Sequence, residues 1–269
     1  MCKILTVSRS GFYAWSIRQE SQSKLEDKRI VTLIKEIFKN SRDTYGYRRI
    51  LAALRDMNEN CGKQKILRLM RENNIRPKNR RKFTVTTNSK HNKPIYDNIL
   101  ARQFDAVAPN QRWVSDLTYI PTTEGWLYLA VILDLYSRKV IGWAMSDRMK
   151  DQLVTDALKM ALFRRKVRSD LLLHSDRGSQ YASDNMQKLL RQNNILCSMS
   201  RKGNCWDNAV AESFFHSLKI ECVYHERYLT RDDAKKSILD YIEVFYNRQR
   251  RHSYLGYKSP EQFELSCSL

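Results

Sequence analysis

The sequence contains no apolar stretch long enough to cross a bilayer. Its longest run, Leu127–Leu133, suits a buried strand instead. The six cysteines, at positions 2, 61, 197, 205, 222 and 267, include no CxxC pair and read as free thiols of a protein in a reducing cytoplasm. The front third offers only Cys2, Cys61 and His91 as zinc ligands, without the close spacing a zinc module needs. No internal repeat, long low-complexity tract or sustained heptad pattern occurs. Acidic residues are in short supply: 29 Asp and Glu stand against 48 Lys and Arg, for a formal charge of +19. That excess predicts attraction to a polyanion, weakening as salt rises. An anionic membrane surface would attract the same charge, so charge alone does not select nucleic acid.

With 269 residues and 42% hydrophobic content, the chain can bury a core as one large or two smaller domains. The basic excess is concentrated in residues 1–105, which hold 24 Lys and Arg against 10 Asp and Glu, whereas residues 106–269 hold 24 against 19. This asymmetry suggests a DNA-gripping front module attached to a more conventional domain. Ile30, Leu33, Ile34, Ile37 and Phe38 form one apolar stripe of a helix over about 22–39. A second short helix carries Ile50, Leu51 and Leu54. A third, over about 63–74, turns Ile66, Leu67, Leu69 and Met70 inward and bears Lys63, Lys65, Arg68 and Arg71 elsewhere. Three short helices ending in a basic one resemble a helix-turn-helix layout over 1–75 whose last helix faces DNA; the alternative is a small bundle with a solvated basic face. Residues 76–105 follow as a basic linker. Within it, the polar stretch 76–95, including Arg80 and Arg81, reads as a linker or an arm along a phosphate backbone.

From Trp113 the pattern changes. Residues 113–120, 127–134 and 139–144 are β-branched and aromatic runs separated by turn material, which predicts a three-stranded antiparallel meander. Helices follow over about 151–165, 183–193, 208–219 and 231–247, with short strands at 171–174 and 195–198. This order gives an α/β domain over 106–269 with a mixed five-stranded sheet and flanking helices.

Cutting or joining a phosphodiester requires charge stabilisation and an activated oxygen, both of which carboxylate-held divalent ions supply. An acidic cluster in so basic a chain therefore invites a metal reading. Asp116 falls in the first strand, Asp176 just after the fourth, and Glu212 in the helix that opens near Asn208. Their spacing alone is weak evidence, since each residue also reads as a strand end, a turn or a solvated helix face. Their surroundings are more specific. WVSDLTYI around Asp116, HSDRGSQY around Asp176, the stretch from Ser200 to Phe215 around Glu212, and Lys219 seven residues beyond the glutamate occur in order.

With Val7–Trp15, Tyr45–Ile50 and Tyr246–Ser253, these motifs resemble the DDE transposases of frameshift-type insertion sequences, as the product of their second reading frame. The resemblance covers essentially the whole chain and extends more distantly to retroviral integrases. It implies a ribonuclease-H-like core with Asp116, Asp176 and Glu212 as a catalytic, metal-binding triad for Mg²⁺, with Mn²⁺ as a substitute. The implied activity is cleavage at DNA 3′ ends followed by strand transfer. Implied partners are DNA at the element ends and target, further copies of the chain on that DNA, and the first-reading-frame protein as a fusion or complex. The implied setting is the bacterial cytoplasm at the nucleoid. A non-catalytic regulator of transposition or an inactive partial transposase is the alternative.

Lys219 lies two helical turns past Glu212, on nearly the same face, and reads as a phosphate contact beside the metals or as a solvated helix lysine. Arg177 and Ser179 read as DNA contacts or turn-fixing residues, and Gly178 as a backbone requirement. His174 reads either as a buried, hydrogen-bonded histidine on the other side of the strand or as a DNA or water contact. Arg201 and Lys202 are candidate DNA contacts. Gly203 and Trp206 lie in a loop where an aromatic would stack on a base or pack into the core. Arg248, Arg250 and Arg251 form a phosphate patch or a solvated helix end.

Overall fold

The computed structural model describes residues 4, 6–78, 95–167, 169–201 and 205–267. Arg80, Arg81, Lys202 and Gly203 lie outside them, as does most of the basic stretch 76–95. The chain divides into two compact units, Met1–Pro77 and Lys78–Leu269.

The first unit is helical. A short helix that the apolar pattern does not announce, α1 (Arg9–Ser16), starts where the Ser8 side chain accepts from the Gly11 amide. It buries none of its residues, so its helicity rests on local capping rather than on a packed face. The next three, α2 (Gln22–Asn40), α3 (Tyr47–Asp56) and α4 (Lys63–Glu72), enclose a common core. Ile30, Ile34 and Ile37 of α2 meet Ile50, Ala53 and Leu54 of α3 and Ile66, Leu69 and Met70 of α4. Each fully buried aliphatic side chain there contributes about 1.5–3 kcal/mol of transfer free energy.

The second unit is built on five strands: β1 (Arg112–Thr122), β2 (Gly125–Asp134), β3 (Val140–Ser146), β4 (Leu172–Ser175) and β5 (Leu196–Met199). They form one mixed sheet in the order β3-β2-β1-β4-β5. The first three pair antiparallel, while β4 joins β1 and β5 joins β4 in parallel. Helices α5 (Asp151–Arg164) and α6 (Asp184–Gln192) cover one face through Trp113, Ile132, Leu153, Ala157, Leu173 and Met186. At Gly142 a Cβ would lie 2.3 Å from the Ala157 carbonyl oxygen, so only glycine lets α5 approach β3 this closely. The helices α7 (Ala209–Glu221) and α8 (Arg231–Leu239) pack against β1 and β2. Covered on both faces, β2 is buried continuously from Leu129 to Asp134.

The helix expected over 231–247 is not a single α-helix. After α8 the backbone widens into a π-helical turn, Asp240–Tyr246, in which the Asn247 amide donates to the Ile242 carbonyl. Tyr241, Ile242, Phe245 and Tyr246 in this turn are all buried. Asn247 then closes the sheet edge: its Oδ1 accepts from Val140 N at 3.0 Å and its Nδ2 donates to Val140 O at 2.9 Å. A final helix, α9 (Pro260–Cys267), is another element the periodicity does not reveal.

Candidate active site

The parallel register of β1 and β4 pairs Val114 with His174 and Ser115 with Ser175. Asp116 and Asp176, each one residue further along, therefore leave neighbouring strands at the same level. Side chains alternate along a strand, and Trp113 belongs to the α5–α6 core, so Val114 and Asp116 point toward α7. That helix carries Glu212 in its first turn, exposed, and half-buried Lys219 two turns on.

Charge ties the four groups together. Burial pushes the Asp116 carboxyl well above its ordinary range, and the negative charges of Asp176 and Glu212 push the same way, against a hydrogen bond donated by the Leu117 amide and the charge of Lys219. Desolvation and then Asp176 raise Glu212. Desolvation lowers Lys219, which Asp116 partly offsets, and the Lys219 ammonium lies 5.2 Å from the Tyr119 ring centroid. Among the described residues, no three His, Cys, Asp or Glu side chains close around a single point as a preformed metal cage. The donor chemistry nevertheless fits a hard divalent ion: three carboxylates oppose one another's ionisation, and Mg²⁺ takes few protein ligands, completing its shell with water and substrate phosphate.

Beneath the carboxylates is a fixed hydrogen-bond layer. The Ser115 hydroxyl donates to Val131 O at 2.9 Å, which leaves its oxygen to accept from the buried Tyr181 hydroxyl, also at 2.9 Å. Tyr181 is held well above the ordinary phenol range by burial and by the charges of Asp116 and Asp176, so it stands close to both acids as a neutral donor. Tyr181 lies inside the HSDRGSQY motif, yet the sequence assigned it no role. Gly178 is not selected for an unusual backbone. Its amide donates to Asp176 Oδ1 at 2.9 Å, and a Cβ there would lie 2.9 Å from that same oxygen. A side chain at 178 would therefore displace the Asp176 carboxylate from its present place.

His174 is the core alternative. It is fully enclosed, and burial pushes it down to about 4, so the ring is neutral. Ser198 Oγ accepts from the amides of Ile99 and Leu100 and so donates its proton to Nδ1 at 2.8 Å. Nε2 then carries the ring proton toward Ser200 Oγ at 3.1 Å, which donates to Ser175 O. Its ring does not point to the opposite side of the strand from the acids. His174 pairs with Val114, and the pleat puts both on the face that Asp116 uses.

Several basic residues marked as DNA contacts have partners inside the protein. Arg201 forks onto Asp207 at 3.0 and 2.9 Å, and Arg177 Nε donates to Ser200 O at 2.6 Å. In the first unit, Lys65 and Arg68 approach Asp27 at 3.0 and 2.6 Å, while Lys63 lies over the Tyr47 ring and Arg71 is exposed. Arg248 lies 3.6 Å from Glu261, and Arg251 donates to Tyr257 O. Arg250 is no part of a phosphate patch: it is 4% exposed and grips buried Glu221 through Nε at 2.6 Å and a terminal nitrogen at 2.7 Å.

Asp207 and Asn208 went unassigned in the sequence. Asp207 is fully enclosed and also accepts from Arg102, Asn98 and the Arg201 amide. These bonds, chiefly from Arg201, hold its carboxyl far below the usual range. Asn208 donates to Ser115 O at 3.3 Å and thereby ties the start of α7 to the strand bearing Asp116.

Two families, each described as an integrase core domain, match residues 106–205 and 212–266, and an HTH-like domain family matches residues 24–83. The chain is 44% identical over 266 residues to the transposase InsF for insertion sequence IS3A of Escherichia coli (strain K12), covering 98% of this chain and 92% of that protein. It is 46% identical over 263 residues to an uncharacterized 31 kDa protein of insertion element IS600 from Shigella sonnei, covering 98% and 97%. Among solved structures, a simian T-cell lymphotropic virus intasome chain shares the fold, with a TM-score of 0.51 at 19% identity over 79% of this chain and 73% of that one. With an HTH-like domain match, integrase core domain matches and 44% identity to InsF over 98% of its length, the chain belongs to the family of IS3-type insertion-sequence transposases.

Proposed function

We propose that Asp116, Asp176 and Glu212 hold divalent cations, Mg²⁺ with Mn²⁺ as a substitute, and that the protein uses them to cut DNA 3′ ends of an insertion sequence and join these to target DNA. The observation that carries this reading is Asp116 itself, one residue past the β1–β4 register pair Ser115–Ser175 and so level with Asp176, its carboxyl pushed upward by burial and then by the charges of Asp176 and Glu212, in a chain of formal charge +19. Such a cluster opposes DNA unless a cation offsets it. When bound, the cations supply charge neutralisation at the phosphate and a nucleophilic oxygen at neutral pH.

The chain's own groups divide the remaining work. Asp116 and Asp176 provide the fixed pair, set by strand register, and Glu212 approaches from the first turn of α7. Lys219 adds positive charge beside Asp116, suited to orienting a phosphate. In the helical unit, Lys63 and Arg71 are the α4 cations proposed to meet the DNA backbone. Action as several copies on DNA, together with the first-reading-frame protein, belongs to the same reading.

The test uses labelled terminal-repeat DNA. Asp116→Asn, Asp176→Asn and Glu212→Gln are each expected to abolish Mg²⁺-dependent strand transfer while DNA binding survives. Undiminished transfer removes that residue from the site, and binding without any transfer in the unaltered protein favours a regulator.

A further inference from the structure

A single 3₁₀ turn, Cys205–Asn208, leads directly into α7, and its last two residues are anchored inward. Asp207 has no exposed side-chain surface and is held by Arg201, Arg102 and Asn98. Asn208 is 4% exposed and bonded to the carbonyl of Ser115, next to Asp116. Trp206, immediately before them, is 68% exposed. Burial of an indole is among the largest apolar gains open to a side chain, removing about 150–250 Å² from water. Here the anchors fix the turn so that the ring faces solvent, six residues ahead of Glu212. The side chains of the two arginines that grip Asp207, the residue after Trp206, remain about half exposed, at 45% for Arg102 and 55% for Arg201.

We infer that Trp206 is a stacking platform for an unpaired nucleobase of the DNA strand whose phosphate enters the carboxylate site. The inference rests on the phosphoryl-transfer reading of that site. Any base offers a π face, so such a platform holds a strand end without reading its sequence, and flanking cations follow the backbone. Asn208 couples the platform to the reacting centre, because one hydrogen bond joins its turn to the strand that carries Asp116.

The experiment compares the full chain with Trp206→Ala, Trp206→Tyr and Trp206→Leu. Binding is measured by fluorescence anisotropy without divalent metal, on a fully paired duplex and on the same duplex with mismatched terminal bases. Trp206→Ala is expected to weaken binding to the frayed duplex roughly tenfold, the loss of one base–aromatic stack, and to leave the paired duplex little changed. Tyr restores most of the loss and Leu does not. The unfolding midpoint stays at that of the unaltered protein, because the ring is exposed. Equal affinity of Trp206→Ala for both duplexes and at the unaltered level, equal losses on both, rescue by Leu, or a lowered midpoint would each overturn the assignment. Failure of the carboxylate reading shows separately, as strand transfer that survives Asp116→Asn, and does not alter the metal-free comparison.

Discussion

Ser115 and Ser175 are register partners across the parallel β1–β4 pair, and the next residue along each chain is an acid of the candidate site, Asp116 or Asp176. A slip of one residue would send one acid to the opposite face. Ser115 resists such a slip, since its hydroxyl is engaged at once by Val131 O and the Tyr181 hydroxyl. The sheet thus sets the level of the two acids, and the turn after β4 fixes the Asp176 carboxylate through the Gly178 amide.

The first prediction concerns Gly178→Ala. The backbone there needs no left-handed conformation, so the fold should persist with little change in unfolding midpoint. The added methyl would nevertheless lie 2.9 Å from Asp176 Oδ1 and push the carboxylate out of place. Strand transfer is expected to fall by about a hundredfold, the order of loss when a reacting group moves by about 1 Å. Unchanged transfer in a correctly folded Gly178→Ala protein would show that Asp176 is not held by this turn.

The second prediction separates two arginines that the sequence presents as one patch. Arg250→Ala leaves buried Glu221 without its cation and should destabilise the protein by about 3–5 kcal/mol. Arg248→Ala removes a 63% exposed partner 3.6 Å from Glu261 and should cost less than about 1 kcal/mol. Denaturant unfolding of both variants checks the order, and equal costs would contradict the buried fork.

These contrasts mark what was legible in the sequence. The meander β1–β3 was visible because its runs of apolar and β-branched residues are long and clearly interrupted by turns. The helix bearing Glu212 and Lys219 was visible from its motif. Asp207 was not, because an acid between Trp206 and Asn208 reads as a solvated turn until Arg102, 105 residues earlier, is folded against it. Arg250 was hidden for the same reason: its partner Glu221 is 29 residues away on another element. The π-helical turn escaped because Ile238, Tyr241, Ile242 and Phe245 also satisfy an α-helical period.

A third prediction follows from Asp134. Its two oxygens accept from the amides of Asn110 and Tyr136, but complete burial dominates and raises the carboxyl from an ordinary value of 3.8 to about 6. Between those values the folded chain keeps a proton that the unfolded chain has released, so raising the pH through this window weakens the fold. The contribution amounts to about 3 kcal/mol from this group. Unfolding free energies at pH 4 and pH 7 should therefore differ between the unaltered protein and Asp134→Asn by about that amount. A difference that does not change with pH would place the carboxyl near its ordinary value.

The last prediction distinguishes cations that meet DNA from cations that hold the helical unit together. Lys65 and Arg68 both face Asp27 of α2, and Arg68 also pairs with Glu72 one turn along α4. Lys63, exposed at the start of α4, leans instead on the Tyr47 ring beside Arg48. A cation that neutralises a phosphate releases a counterion, and its removal makes the plot of log affinity against log salt shallower by about 0.9. Lys63→Ala should show that change with no loss of stability. Lys65→Ala should leave the slope nearly intact, because Asp27 already offsets that charge, and should lower the stability of the helical unit by up to about 1 kcal/mol. Affinity measured across a salt series for the two variants decides the matter: identical slope changes would mean that Asp27 does not withdraw Lys65 from the DNA surface.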